Sequence, residues 1–289
     1  MYLLLPLVAA AIYTVSALFF KQAYARGVGP NQAFYLANIL ASCLFVWLWM
    51  FGGSVPAADL WRPAFIACLH YIGGWATFLA MREGDVSMVT PVLGSKIVFV
   101  ALFEALVAGQ VLPWTLWVAA LAASGGIFLI GFRDFRQGRG SPVAFFLAIA
   151  SCLCFGISDI FTQMWGTRYG GLAFLGANAA ALGVYSLIHA ALTGPRQLLL
   201  PAGTRVPVLL GSCALAAQGF LIAYSLMVFN DATGVNVVYA TRGLWSLVLV
   251  WFAGKWFENH ERRTSRDALL WRAAGSALVL AAVALAFAR

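Results

Sequence analysis

Along this chain long apolar runs alternate with short breaks marked by charge, glycine or proline. Reading from break to break predicts ten helical spans, Leu3–Phe20, Phe34–Phe51, Pro63–Met81, Met88–Val107, Trp114–Phe132, Pro142–Gln163, Leu172–Leu192, Val206–Val228, Gly234–Gly254 and Leu269–Phe287. Each approaches the roughly 20 mostly apolar residues that a helix needs to cross the hydrocarbon core. Backbone polar groups in lipid must be satisfied internally, which leaves helices or closed barrels. Barrel strands alternate apolar and polar residues over about ten positions. Ile97–Val107 and Ala277–Phe287 are apolar in nearly every register, so the pattern predicts helices.

The first run, Tyr2–Phe20, has no basic segment before it and is followed by further spans. It reads as a retained helix rather than a cleaved signal. The longest connections are Arg133–Ser141, Thr193–Arg205 and Lys255–Asp267, so no soluble catalytic or regulatory domain is expected.

Composition supports the same class. Hydrophobic residues make up 63% of the chain and charged residues 10%, against about a quarter charged in a soluble domain. The expectation is an all-α, multi-pass integral protein of a bacterial plasma membrane, in contact with membrane lipids. Cys43, Cys68, Cys152, Cys154 and Cys213 all fall in apolar runs and read as small buried hydrophobes. The net charge of +8 resides mainly in short connections, where it sets topology and meets anionic headgroups. It does not call for a nucleic-acid partner. No cofactor motif or metal-ligand spacing is present, and His70 and His189 lack ligand-spaced neighbours.

The two halves of the chain resemble each other. Phe34-Tyr-Leu-Ala-Asn38 in span two matches Phe174-Leu-Gly-Ala-Asn178 in span seven, and Ser16 corresponds to Ser158. In spans four and nine, Asp85…Gly94-Ser95-Lys96 lies over Asp231…Ala240-Thr241-Arg242 without a gap. The predicted organisation is a first five-helix repeat over 1–132, a basic linker over 133–141 and a second five-helix repeat over 142–289. Five is odd, so the repeats must be inverted relative to each other, with a site near the midplane where they meet.

Connections after spans one, three, five, seven and nine hold Arg26, Arg82, Arg133, Arg136, Arg139, Arg196, Arg205, Lys255, Arg262, Arg263 and Arg266. The opposite side has Arg62, Arg168 and Arg289. By the positive-inside rule both termini then lie outside the cytoplasm.

Several segments carry a resemblance to a known family. Phe19-Phe20-Lys21 followed by Gly27-Val28-Gly29-Pro30 resembles the opening of the ten-helix, EamA-type members of the drug/metabolite transporter superfamily. Glu83-Gly84-Asp85-Val86-Ser87…Thr90-Pro91 resembles that family's turn into its fourth helix, and Gly109-Gln110…Pro113-Trp114 its turn into the fifth. The resemblance implies export of amino acids and other metabolites. It also implies cytoplasmic termini, opposite to the charge count. Departures are Asn38 where many relatives carry Arg, Gln110 where they carry Glu, and the mid-helix cations Lys96 and Arg242.

Ionisable residues in a span cost at least about 2.5–3.5 kcal/mol each and so face a cavity or a partner. Lys96 and Arg242 occupy equivalent mid-span positions in the two halves. They are candidates to bind the carboxylate or phosphate of a substrate, Arg242 as a planar fork and Lys96 as a point charge. The other reading is an ion-pair network with Asp159 or Glu104. Those two carboxylates are themselves candidates for proton coupling, if desolvation favours their neutral forms. Asn38, Asn178, Tyr71, Trp75, Asn236 and Tyr239 complete the candidate substrate-binding set, with Tyr13, Tyr224 and Trp245 as further walls. His70 is a candidate for the cavity, His189 for the headgroup level and Lys21 for the interface. Pro91 and Gly243 flank the two cations and predict paired helix irregularities. Small residues such as Ala119, Ala123, Ala277 and Ala281 suit close packing between the halves or in a homodimer.

The expected function is a secondary transporter of a small, anionic or zwitterionic metabolite, working by alternating access. Flipping of a lipid-linked substrate is one alternative. A membrane-embedded enzyme is another, although no catalytic triad, metal set or phosphate loop supports it.

Overall fold

The computed structural model describes residues 3–83, 89, 92–137, 141–194, 199–253 and 266–288. Asp85, Pro91, Arg139, Arg196, Lys255, Arg262, Arg263 and Arg289 lie outside the described residues, as do the start of span four, the end of span nine and the middle of the linker. The described chain is helical, with no strand. Its helices are α1 (Leu4–Ala25), α2 (Pro30–Phe45), α3 (Trp61–Glu83), α4 (Lys96–Leu106), α5 (Trp114–Gln137), α6 (Pro142–Gly166), α7 (Gly171–Thr193), α8 (Arg205–Phe229), α9 (Ala232–Tyr239), α10 (Arg242–Ala253) and α11 (Arg266–Phe287).

Eight of the predicted spans are continuous helices long and apolar enough to cross a membrane. Their starts follow local chemistry. Pro30 opens α2 behind Gly29, whose N–H donates to Gln32 Oε1 at 3.3 Å. Pro142 opens α6, and Ser141 Oγ accepts from the Ala144 N–H at 3.3 Å. At the far end of α8, Asn230 takes the left-handed conformation (φ 50°) that stops the helix.

Spans four and nine are each interrupted. Span four turns at Gly94-Ser95 before α4 begins at Lys96; span nine turns at Ala240-Thr241 before α10 begins at Arg242. The local bonding is the same at both turns. Ser95 N donates to Val92 O at 3.0 Å and Ser95 Oγ to the same carbonyl at 2.7 Å. Thr241 N donates to Val238 O at 3.1 Å and Thr241 Oγ1 to it at 2.7 Å. A hydroxyl thus satisfies a carbonyl released by the turn, which hydrocarbon would otherwise penalise. Gly243, expected to loosen span nine, lies within α10, and the turn falls just before it, at Ala240-Thr241.

Helix pairings come in matching sets. α1 packs on α8 and α3 on α6; α2 packs on α7, α5 on α11, and α4 beside α9. The α5–α11 seam is closest at Gly126, where a Cβ would stand 2.6 Å from Val279, and at Gly275, where one would stand 2.5 Å from Gly126 O. Ala119 and Ala123 are buried in that seam with Val279, Ala282 and Ala286, whereas Ala277 and Ala281 are exposed. Helix-to-helix packing of small residues here needs no partner chain.

Alternating spans place the connections after spans two, four, six and eight, with both termini, at one end, and the arginine-rich connections at the other. At the terminal end backbone meets backbone. A Cβ on Gly170 would fall 1.8 Å from Gly52 O, and one on Gly53 2.3 Å from Tyr169 O. Arg62 lies there over the rings of Trp61, Trp165 and Tyr169 at 5.4–5.6 Å and bonds the Tyr169 hydroxyl. At the basic end a cavity of about 610 Å³ opens among the α1–α2 turn, the end of α3 from Phe78 to Arg82, and Leu199.

Candidate functional site

The two interruptions bring their cations to one place. Lys96, Asn236, Tyr239 and Arg242 line a single cavity of about 20 Å³, walled further by Leu93, Gly94, Ile97, Ile127 and Ala240. That space suits about one water molecule. Lys96 and Arg242 each stand at the first position of a helix that starts inside the bundle. The partial positive charge of two helix N-termini therefore adds to two side-chain cations.

The surroundings of the cations differ. Lys96 Nζ is 2.7 Å from Asp159 Oδ2, in a largely buried pair, and lies 5.7 Å from the Phe155 ring centroid. Asn236 Nδ2 donates to the same Asp159 oxygen at 2.8 Å, and to Ala232 O at 3.0 Å. One carboxylate of α6 thereby joins α4 to α9. Arg242 instead lies over the rings of Tyr13 at 5.1 Å and Tyr239 at 4.9 Å. Those rings meet edge to face at 6.1 Å, and the Tyr239 hydroxyl donates to Gln218 Oε1 at 2.5 Å. Among the described residues no carboxylate stands within ion-pair distance of Arg242. Thr14 Oγ1 donates to the Arg242 carbonyl at 3.3 Å, tying α1 to this turn. On the span-four side Ser124 Oγ donates to Gly94 O at 3.0 Å, and the Cys152 thiol to Val92 O at 3.5 Å.

Glu104 is fully buried away from this cavity, at the terminal end of α4. Its Oε1 accepts from Gln163 Nε2 at 3.2 Å and Ala232 N at 3.1 Å; its Oε2 accepts from Thr233 N at 2.7 Å and Thr233 Oγ1 at 2.5 Å. Four donors thus converge on one carboxylate at the N-terminus of α9. Asp231 caps the same terminus by accepting from Gly234 N at 2.9 Å. α4 and α9 are thus joined twice, by Glu104 at their terminal end and by Asp159 at the break.

The other candidates lie elsewhere. Asn38 Nδ2 donates to Phe34 O within α2 at 2.9 Å, and Asn178 Nδ2 to Pro63 O at 3.0 Å, joining α7 to α3. Tyr71 and Trp75 belong to an aromatic cluster of α2, α3 and α7 around His189. His189 Nε2 is 3.3 Å from the Tyr35 hydroxyl and Nδ1 3.0 Å from that of Tyr71, so this histidine links α7 to α2 and α3. His70 sits edge-on to Phe155, with ring centroids 5.0 Å apart, on the same ring that Lys96 covers. Tyr224 packs with Phe220 in the cluster around Tyr169 and Phe174. Phe155, Thr14, Gln163, Gln218 and Thr233 were not singled out from sequence. The two glutamines carried a usable signal, since an amide inside an apolar span needs partners.

No protein with a curated description matches this sequence. A crystal structure of a protein is similar in fold, with a TM-score of 0.75 and 17% identity over 99% of this chain and 96% of that one. The model of the EamA-like transporter family matches residues 1–132, the first five spans. Over those spans, just under half of its length, the chain is similar to the EamA-like transporter family, and with eight helices long and apolar enough to cross a bilayer among its described residues it is a multi-pass membrane protein.

Proposed function

We propose that the chain carries a small anionic or zwitterionic metabolite across the membrane by alternating access, with its substrate held between the interrupted spans four and nine. The observation that carries this reading is the unequal neutralisation of the two cations. Asp159 offsets Lys96, while Arg242 faces tyrosine rings, so among the described residues the cavity keeps an excess of one positive charge. An excess charge in a low-dielectric site is costly when empty and is relieved by an incoming anion. Arg242 would hold a carboxylate or phosphate by its fork, with Asn236 and Tyr239 adjoining. The matched pairings α1–α8 and α3–α6 fit two inverted repeats rocking about that site.

The test is a thermal-shift screen of the purified chain against small anions, zwitterions and neutral analogues, followed by uptake of the best stabiliser into proteoliposomes. Ligand at about 100 times its Kd stabilises by about 2.7 kcal/mol. Anions or zwitterions should give the shifts, and Lys96→Ala with Arg242→Ala should abolish both shift and uptake. Unaltered transport without the two cations sinks the assignment.

A further inference from the structure

Three features make Asp159 more than a counterion. Its Oδ2 holds Lys96 and Asn236 at 2.7 and 2.8 Å, the contacts a substrate carboxylate would make in the same cavity. The cavity has only about 20 Å³ while that arrangement stands. And the carboxylate is one of two links between α4 and α9, the other being Glu104. We infer that Asp159 occupies the substrate's place in the empty transporter, and that it leaves Lys96 by taking up a proton, so that one proton travels with each anion bound. This rests on the anion site proposed above and names its coupling ion.

The bookkeeping of charge is simple. A proton from the water on the loading side adds to Asp159 Oδ2, which becomes a neutral carboxylic acid; Lys96 Nζ loses that partner and accepts the oxyanion. On the unloading side the proton leaves, the carboxylate returns to Lys96 and expels the anion. Without the proton, Asp159 and the anion would compete for the Lys96 ammonium, and the anion would be held by Arg242 alone. Glu104 keeps the terminal ends of α4 and α9 together while the inner link opens.

The charged and titratable groups facing Asp159 are few. Lys96 comes from α4, Arg242 of α10 lines the same cavity, and the uncharged Asn236 with Tyr239 comes from α9. His70 of α3 is within electrostatic reach. α8 carries no acid, its one basic residue being Arg205 at its first turn, and α7 has His189 near its basic end. His70 is therefore the competing proton site to be excluded.

Sulfate and methanesulfonate serve as probes, because neither titrates between about pH 5 and 8, the range over which linkage is read. Their binding to the full chain in nanodiscs is followed by calorimetry, with proton uptake read by an indicator dye in weak buffer. One proton should be taken up per anion, and affinity should rise about tenfold per unit fall in pH. Asp159→Asn should bind with pH-independent affinity near the low-pH limit; Asp159→Glu should restore the slope, and His70→Gln should leave it unchanged. Binding without proton uptake overturns the coupling and leaves the anion site standing. A slope lost in His70→Gln and kept in Asp159→Asn also overturns it. Absence of binding by either probe overturns both readings. The wild-type proton count decides the matter even where Asp159→Asn does not fold.

Discussion

Lys96 and Arg242 hold the same position in the two halves, each just after an interruption in which a hydroxyl turns back onto the carbonyl three residues earlier. Around this shared backbone the side chains have been settled in different ways. Lys96 is paired with a carboxylate; Arg242 lies against two tyrosine rings. An ammonium is a compact charge that hydrocarbon tolerates only with a counterion, whereas a guanidinium is planar, weakly hydrated and content against π faces. The lesson is that one backbone device can house two kinds of cation, one neutralised by a carboxylate and one set against aromatic faces.

The comparison is broken most forcefully by removing one partner of the buried pair. Lys96→Ala leaves Asp159 unpaired and should cost about 3–5 kcal/mol of stability, with partial recovery in Lys96→Ala/Asp159→Asn, read by thermal unfolding in detergent. Arg242→Gln leaves no orphaned carboxylate among the described residues, so its cost falls on binding, by about 2–5 kcal/mol in anion affinity. Equal unfolding penalties in these two variants would erase the distinction. Tyr13→Leu removes one face from Arg242 and should weaken anion binding by about 0.5–2 kcal/mol, with no effect on the Lys96 side. Ser95→Ala and Thr241→Ala should each cost about 0.5–1.5 kcal/mol of stability, and nearly the same amount as each other, because the bonds they remove are alike. Unequal losses there would show that the two turns are matched in geometry alone.

Much of the fold was legible because hydrocarbon imposes a simple rule on length and polarity. The eight continuous spans begin and end within a few residues of where charge, glycine or proline interrupts the apolar runs. The equivalence of Gly94-Ser95-Lys96 with Ala240-Thr241-Arg242 was also readable as a pattern. Paired irregularities there were expected from Pro91 and Gly243; that the turns fall on the serine and threonine was not, since such residues also sit inside continuous helices such as α6, where Thr162 bonds back to Ser158 O at 2.7 Å. Which way an isolated polar side chain faces depends on its neighbours in space. Asn38 and Asn178 matched in sequence, yet one bonds its own helix and the other reaches α3. Glu104 and Asp159 looked alike as intramembrane acids; four donors surround the first, and a lysine with one amide the second. Sequence identifies a charge in a span and leaves its partner to the packing.

The glycine contact at the terminal end has a practical consequence. Gly52-Gly53 and Gly170 let two loops touch through bare backbone, so the thickness of a single methyl group separates a shut end from a propped one. Such a contact acts as a mechanical stop, and an alanine at position 170 is a wedge driven into it. If the halves rock as proposed above, a chain wedged there rests with that end ajar, which offers a way to trap the opposite-facing form for structure determination.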